Sequence, residues 1–146
     1  MNREILFRAK ALDSGKWKIG SLVTRKYGRS PKIYLEIPGQ RGVNYDDVDA
    51  NTVGQFTGLN DKNGVKIFEG DIVSIKMLDV DRCGRFMLKT NLPNSLNARV
   101  EYSCRHGKYK LLFVENAAGL ISCDIGYSGE EFEVVGNIYD NQELLK

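Results

Sequence analysis

The chain is 146 residues long, 42% hydrophobic and 27% charged, with a net charge of +2. That is enough for one domain, or two small ones closely packed, to bury a core without metal or disulfide help, and it argues against a disordered chain. The N-terminus, MNREILFRAK, carries Arg3, Glu4, Arg8 and Lys10 and lacks the apolar core of a secretion signal, while no later run reaches membrane-spanning length. A cytoplasmic protein with no membrane partner is expected.

Along the chain, helical periodicity is nearly absent and short alternating runs dominate. Ile5 to Phe7, Trp17 to Val23, Lys32 to Ile37 and Thr52 to Phe56 read as strands, separated by turn clusters at Asp13 to Gly15, Tyr27 to Pro31 and Pro38 to Gly42. Further strands are expected at Asp71 to Met77, Arg85 to Lys89, Ala98 to Tyr102, Tyr109 to Val114, Gly119 to Ser122 and Phe132 to Tyr139. Their spacing predicts small barrels or sandwiches rather than crossover units. Leu88 to Asn97, with Pro93 and three asparagines, and Arg25 to Pro31 read as loops. Only the tail from Asn141 to Lys146 offers a helical turn, with Asn141 as its cap.

The charge is unevenly spread. Residues 1 to 42 hold ten Lys/Arg against three Asp/Glu, a net of +7, whereas residues 43 to 146 hold eleven against sixteen, a net of −5. Such polarity can steer an anionic partner such as nucleic acid, or draw together opposite ends of identical subunits. Cys83, Cys104 and Cys123 form no close pair and leave one thiol over whatever the bonding, so no structural disulfide is expected.

The most patterned stretch is VGQFTGLNDKNGVKIFEGDIV, Val53 to Val73. As a calcium loop starting at Asp61 it fails, because position 4 is Gly64 and position 12 is Ile72. It also lacks both glycine fingerprints for phosphate. What remains is a tight turn at Asn63-Gly64 flanked by apolar residues, then a glycine bend at Gly70 leading into a strand, with Asp71 hydrogen-bonding the turn. Glu69 and Asp71 share one strand face and are the only acid pair worth weighing for a metal or acid/base role, and a solvated hairpin is the simpler reading.

His106, the only histidine, stands near Cys104 in Ser103-Cys104-Arg105-His106-Gly107, without zinc-like spacing or an orienting partner for a nucleophile. It reads as an exposed hairpin tip. No catalytic, cofactor-binding or metal-binding residue is assigned, and no cofactor. In the basic segment, cations interleave with aromatics at Lys16-Trp17-Lys18 and at Arg25, Lys26, Tyr27, Arg29 and Tyr34, a mixture suited to phosphate contact and base stacking. Alternation assigns Trp17 to the core, with Lys16 and Lys18 pointing the other way.

Three blocks in order, FRAKALDSGKW, VGQFTGLNDKNGVKIFEGDIV and EVVGNIYDNQELL, make the chain resemble the YopX-like proteins of phages and prophages. The resemblance implies a β-rich fold with an SH3-like barrel component, self-association and a bacterial or phage cytoplasmic setting, and implies no activity. The expected fold is mainly β with little helix, as a basic N-terminal β region over 1–60 and a C-terminal SH3-like region over 61–146, the two forming either separate regions or one intertwined unit. The expected function is that of a non-enzymatic, self-associating interaction or regulatory module. The alternative is a nucleic-acid-binding module using the basic N-terminal loop.

Overall fold

A computed structural model describes residues 4–24, 31–35, 44–76, 78–80, 86–88, 95–115, 119–124 and 132–145. The chain is mainly β, as its alternation anticipates, and falls into two compact units, Met1–Gly58 and Leu59–Lys146.

The first unit is built from β1 (Phe7–Lys10), β2 (Trp17–Val23), β3 (Lys32–Leu35), β4 (Asn44–Asp47) and the start of β5 (Gly54–Asn60), lying side by side in the order β4-β3-β2-β1-β5. The β1–β2, β1–β5, β2–β3 and β3–β4 pairings are all antiparallel. Because successive strand residues face opposite sides, Phe7 and Ala9 go to one face and Arg8 and Lys10 to the other. The apolar face collects Ala9, Ile33 and Val48, all fully buried, with Phe7, Leu22 and Val53 packed against them. Thr52 belongs to a single 3-10 turn, Ala50–Thr52, rather than to a strand: Asp49 caps that turn, and the Thr52 hydroxyl accepts from the Lys10 amide at 2.9 Å.

Within β2, Gly20 is required by a close approach. A Cβ there would lie 2.0 Å from the backbone oxygen of Tyr34, so any side chain would push β3 away.

The second unit continues from the end of β5 through β6 (Lys66–Phe68) into a five-stranded antiparallel sheet. Its strands are β7 (Asp71–Lys76), β10 (Ser95–Ser103), β11 (Lys108–Glu115), β12 (Gly119–Asp124) and β13 (Phe132–Asn137), in the order β12-β11-β10-β7-β13. A separate two-stranded ribbon joins β8 (Leu78–Val80) to β9 (Phe86–Leu88). With the ribbon set aside, the first strand lies between the second and the fifth, the strand order of an SH3-like unit. Among the described residues no pairing joins β12 to β13, so the sheet is open.

Its core holds Ile67, Val73, Ile75, Ala98, Val100, Tyr109, Leu111 and Phe132. Ile72, which faces away from Val73 and Ile75, is also fully buried, and the consecutive apolar positions of DIVSIK fit a strand covered on both faces.

Of the two expected loops, Arg25 to Ser30 lie outside the described residues. The Leu88 to Asn97 reading is corrected at both ends: Leu88 closes β9, and Ser95 to Asn97 open β10 by pairing with Lys76 to Ser74. Asn97, read as a loop former, donates its side-chain amide to the Leu144 carbonyl at 2.9 Å and so ties the 3-10 turn Gln142–Leu145 to β10. A buried or half-buried amide with a fixed partner is at home in a strand.

Candidate functional site

The register of the first sheet determines what its non-core face presents. Lys10 lies opposite Trp17 and Arg8 opposite Ile19, Ser21 opposite Tyr34 and Val23 opposite Lys32, Tyr34 opposite Tyr45 and Lys32 opposite Asp47. Directly opposite residues share a face, so Arg8, Lys10, Trp17, Ile19, Val23, Lys32, Tyr34, Tyr45 and Asp47 all lie on one side.

That side is partly open: Ile19 is 47%, Val23 42% and Tyr45 52% exposed, while Arg8, Lys10, Trp17 and Tyr34 are half-buried and Lys32 is buried. It also sets cations on rings. The Arg8 guanidinium stands 4.8 Å and the Lys10 ammonium 5.5 Å from the centre of the Trp17 ring, and the Lys32 ammonium lies 3.3 Å from the centre of Tyr45. Tyr34 packs on Tyr45 at 5.7 Å, tilted by 50°.

Lys32 is itself buried, and its ammonium pairs with Asp47 at 3.4 Å. Tyr45 keeps half of its surface exposed although this ammonium lies on its ring and Tyr34 packs beside it. Each such cation–ring contact contributes ~0.5–1 kcal/mol at an exposed site and more where water is excluded, a bias of a few-fold toward the observed ring positions.

Trp17 is therefore corrected: it is half-buried on the open face and not in the core. The core of this unit lies on the Ala9 and Ile33 side. Lys18 does point the other way, where it pairs with Asp46 at 3.0 Å. Of the basic loop candidates, Tyr34 lies on the open face beside Tyr45, while Arg25, Lys26, Tyr27 and Arg29 lie outside the described residues. Arg8, Lys10 and Tyr45 were not singled out by sequence. Their signal was the alternation in LFRAK, and for Tyr45 a strand, NYDD, too polar to announce itself.

The remaining candidates are local structure. Asn63 and Gly64 lie in a three-residue hairpin loop. The Gly64 amide donates to the Asp61 carbonyl and the Asp61 amide to the Val65 carbonyl, and Gly64 takes φ of +80°. Gly70, at φ of +82°, donates to the Val100 carbonyl and accepts from the Ile138 amide, and a side chain there would press on Tyr139. The solvated reading of the acid pair is corrected for Asp71, which is fully buried and whose Oδ2 accepts from the Phe68 amide at 2.7 Å.

At the β10–β11 hairpin tip, Ser103 Oγ and His106 Nδ1 are 2.9 Å apart, and both His106 and Cys104 are exposed. Among the described residues no group of three His, Cys, Asp or Glu side chains is placed to hold a metal ion, and no helix is long and apolar enough to cross a membrane.

A family model described as "YopX protein" matches residues 6–146. The chain belongs to the YopX family. A search of curated proteins found no match. Among solved structures, the crystal structure of protein EF1440 from Enterococcus faecalis is similar over 99% of this chain and 100% of its own, at 23% identity and a TM-score of 0.57. That likeness is one of fold.

The blocks that mark this YopX chain are its joints. Asp61 Oδ1 accepts from the Asn63 and Val65 amides at 2.8 and 2.9 Å, and its Oδ2 accepts from the Val134 amide at 3.0 Å, fastening the β5–β6 hairpin to β13. Burial alone would raise the pKa of this carboxyl, but the Val134, Val65 and Asn63 amides and the Lys62 charge outweigh it, so the group titrates below the ordinary aspartate value. In EVVGNIYDNQELL, Asn137 Oδ1 accepts from the Tyr139 and Asp140 amides, and a Cβ on Gly136 would lie 2.6 Å from Asn141 Oδ1.

Proposed function

We propose that this YopX family member is a non-enzymatic binding module of a bacterial or phage cytoplasmic setting, and that its working surface is the open face of the N-terminal sheet. The observation that carries this reading is the gathering of Trp17, Tyr34 and Tyr45 with Arg8, Lys10 and Lys32 on one face. Rings and guanidinium groups held in place lose little conformational entropy when a partner covers them, which is why they concentrate at interfaces.

The non-enzymatic part is supported by what the polar groups do elsewhere. Both Asp61 oxygens and Asp71 Oδ2 accept from backbone amides, and the Ser103–His106 pair lies at a hairpin tip where the imidazole is exposed to water.

A photoreactive residue placed at Ile19, on the open face, tests the proposal against one placed at Arg105, on the exposed hairpin tip of the second unit. Crosslinked adducts in the host cell concentrated at position 19 support it. Adducts at neither position, or only at 105, contradict it.

Self-association is a second reading, favoured by the opposite net charges of residues 1–42 and 43–146. Copies attracted in this way meet head to tail, a contact that salt weakens. Light scattering at micromolar concentration that finds dimers or larger species in low salt supports it, and a monomer overturns it.

A further inference from the structure

Resting on the reading of the open face as the working surface, we infer that its ligand is a single-stranded nucleic acid, with phosphates met by Arg8 and Lys10 and bases stacked on Tyr45 and on the Trp17 cluster. The charges on the face favour this occupant over a second copy of the chain. By register, the charged positions of β1 to β4 on this side are Arg8, Lys10 and Lys32 against Asp47. A two-fold dimer through this face would set the same cations against themselves, and burying like charges together is costly. A polyphosphate backbone brings the complementary charge along with flat apolar bases.

The geometry of the rings favours a single strand over a duplex. Tyr45 is half exposed, with the Lys32 ammonium 3.3 Å from its ring centre and Tyr34 flanking it at 5.7 Å. At Trp17 the Arg8 guanidinium already lies over the indole, and a guanidinium plane is itself a surface on which a base can stack. Tyr45 is two strands over from β2 and level with Ser21, four residues along from Trp17. Strand rise and spacing therefore place the two stacking sites roughly 16 Å apart, so they engage bases that are not neighbours in one strand. Paired bases stacked inside a duplex cannot reach either ring, whereas unpaired bases can splay onto both.

The test is a fluorescence anisotropy titration of a labelled twelve-residue oligothymidylate with the whole chain, at low and at high salt. Saturable binding that weakens as salt rises is expected, with Tyr45→Ala and Trp17→Ala each lowering affinity about tenfold. Lys10→Gln should lower affinity and flatten the salt dependence, and Arg105→Gln, on the second unit, should change neither. Tyr45→Leu serves as a second variant that keeps apolar bulk. It should match the Tyr45→Ala loss while leaving the melting temperature near that of the parent chain.

No salt-sensitive binding, or binding untouched by the Tyr45 and Trp17 variants, overturns the inference. Equal affinity for a duplex of the same length overturns it as well. If the oligonucleotide does not bind and Tyr45→Ala instead dissolves an oligomer seen by light scattering, the occupant is a second copy. The nucleic-acid inference then fails while the open face stands as the working surface.

Discussion

Asp61 shows how much one side chain can organise. It is buried, and three backbone amides donate to its carboxylate, two from its own hairpin loop and one from β13, 73 positions away. Asp61→Asn keeps the shape but turns one acceptor into a donor facing an amide, so a loss of about 1–3 kcal/mol is expected from urea unfolding at neutral pH. Since the folded-state pKa lies below the unfolded one, the stability this carboxylate contributes is full above about pH 4 and is lost as pH falls through the folded value. The parent chain should therefore lose stability in acid more steeply than Asp61→Asn. Parallel acid profiles for the two would contradict this.

The Lys62–Glu133 pair beside it is more than two-fifths exposed on both sides, and exposed ion pairs contribute at most about 1 kcal/mol. Lys62→Ala should thus cost less than Asp61→Asn. Gly20 and Gly64 differ in the same measurable way. Gly64→Ala meets open space but strains a positive φ, at about 1–2 kcal/mol. Gly20→Ala instead collides with the Tyr34 backbone, so it should disturb β2–β3 pairing in amide hydrogen exchange, which Gly64→Ala should leave intact.

At the scale of elements, the strands that alternate or run apolar were legible: Trp17 to Val23 matches β2 to the residue, and DIVSIK lies within the expected Asp71 to Met77. The element missed in the first unit, NYDD, is an edge strand with one apolar-bodied residue, so burial left no pattern in it. FRAK was shifted because Arg8 and Lys10, as cations, resembled a strand's end, although their face is simply the uncored one. The candidate site was legible only in part for the same reason. Alternation says that Trp17 and Lys18 part company but not which of them meets the core, and that is settled by Ile33 and Val48 from distant segments. The tail was read as a helical turn, but the side chain holding it in place, Asn97, comes from a segment read as a loop. Asn97→Ala should speed amide exchange in Gln142–Leu145 while leaving Val100 and Leu111 protected. Unchanged protection of the turn would argue that this tie does not hold it.

Across the whole molecule, the two units carry different kinds of surface. In the second, the buried carboxylates of Asp61 and Asp71 accept from backbone amides and the apolar groups form the larger core. The first leaves one face of its sheet to rings and cations, and it lies in the segment that holds the basic excess of the sequence. Trp17 is the chain's only tryptophan and stands on that face, so its emission reports directly on whether the face is covered. In a titration with single-stranded oligothymidylate, Trp17 emission should be quenched saturably, with the midpoint seen by anisotropy and with recovery on adding salt. Emission that stays constant while the oligonucleotide binds, or throughout a titration in which nothing binds, would contradict the assignment of this face to a nucleic-acid strand.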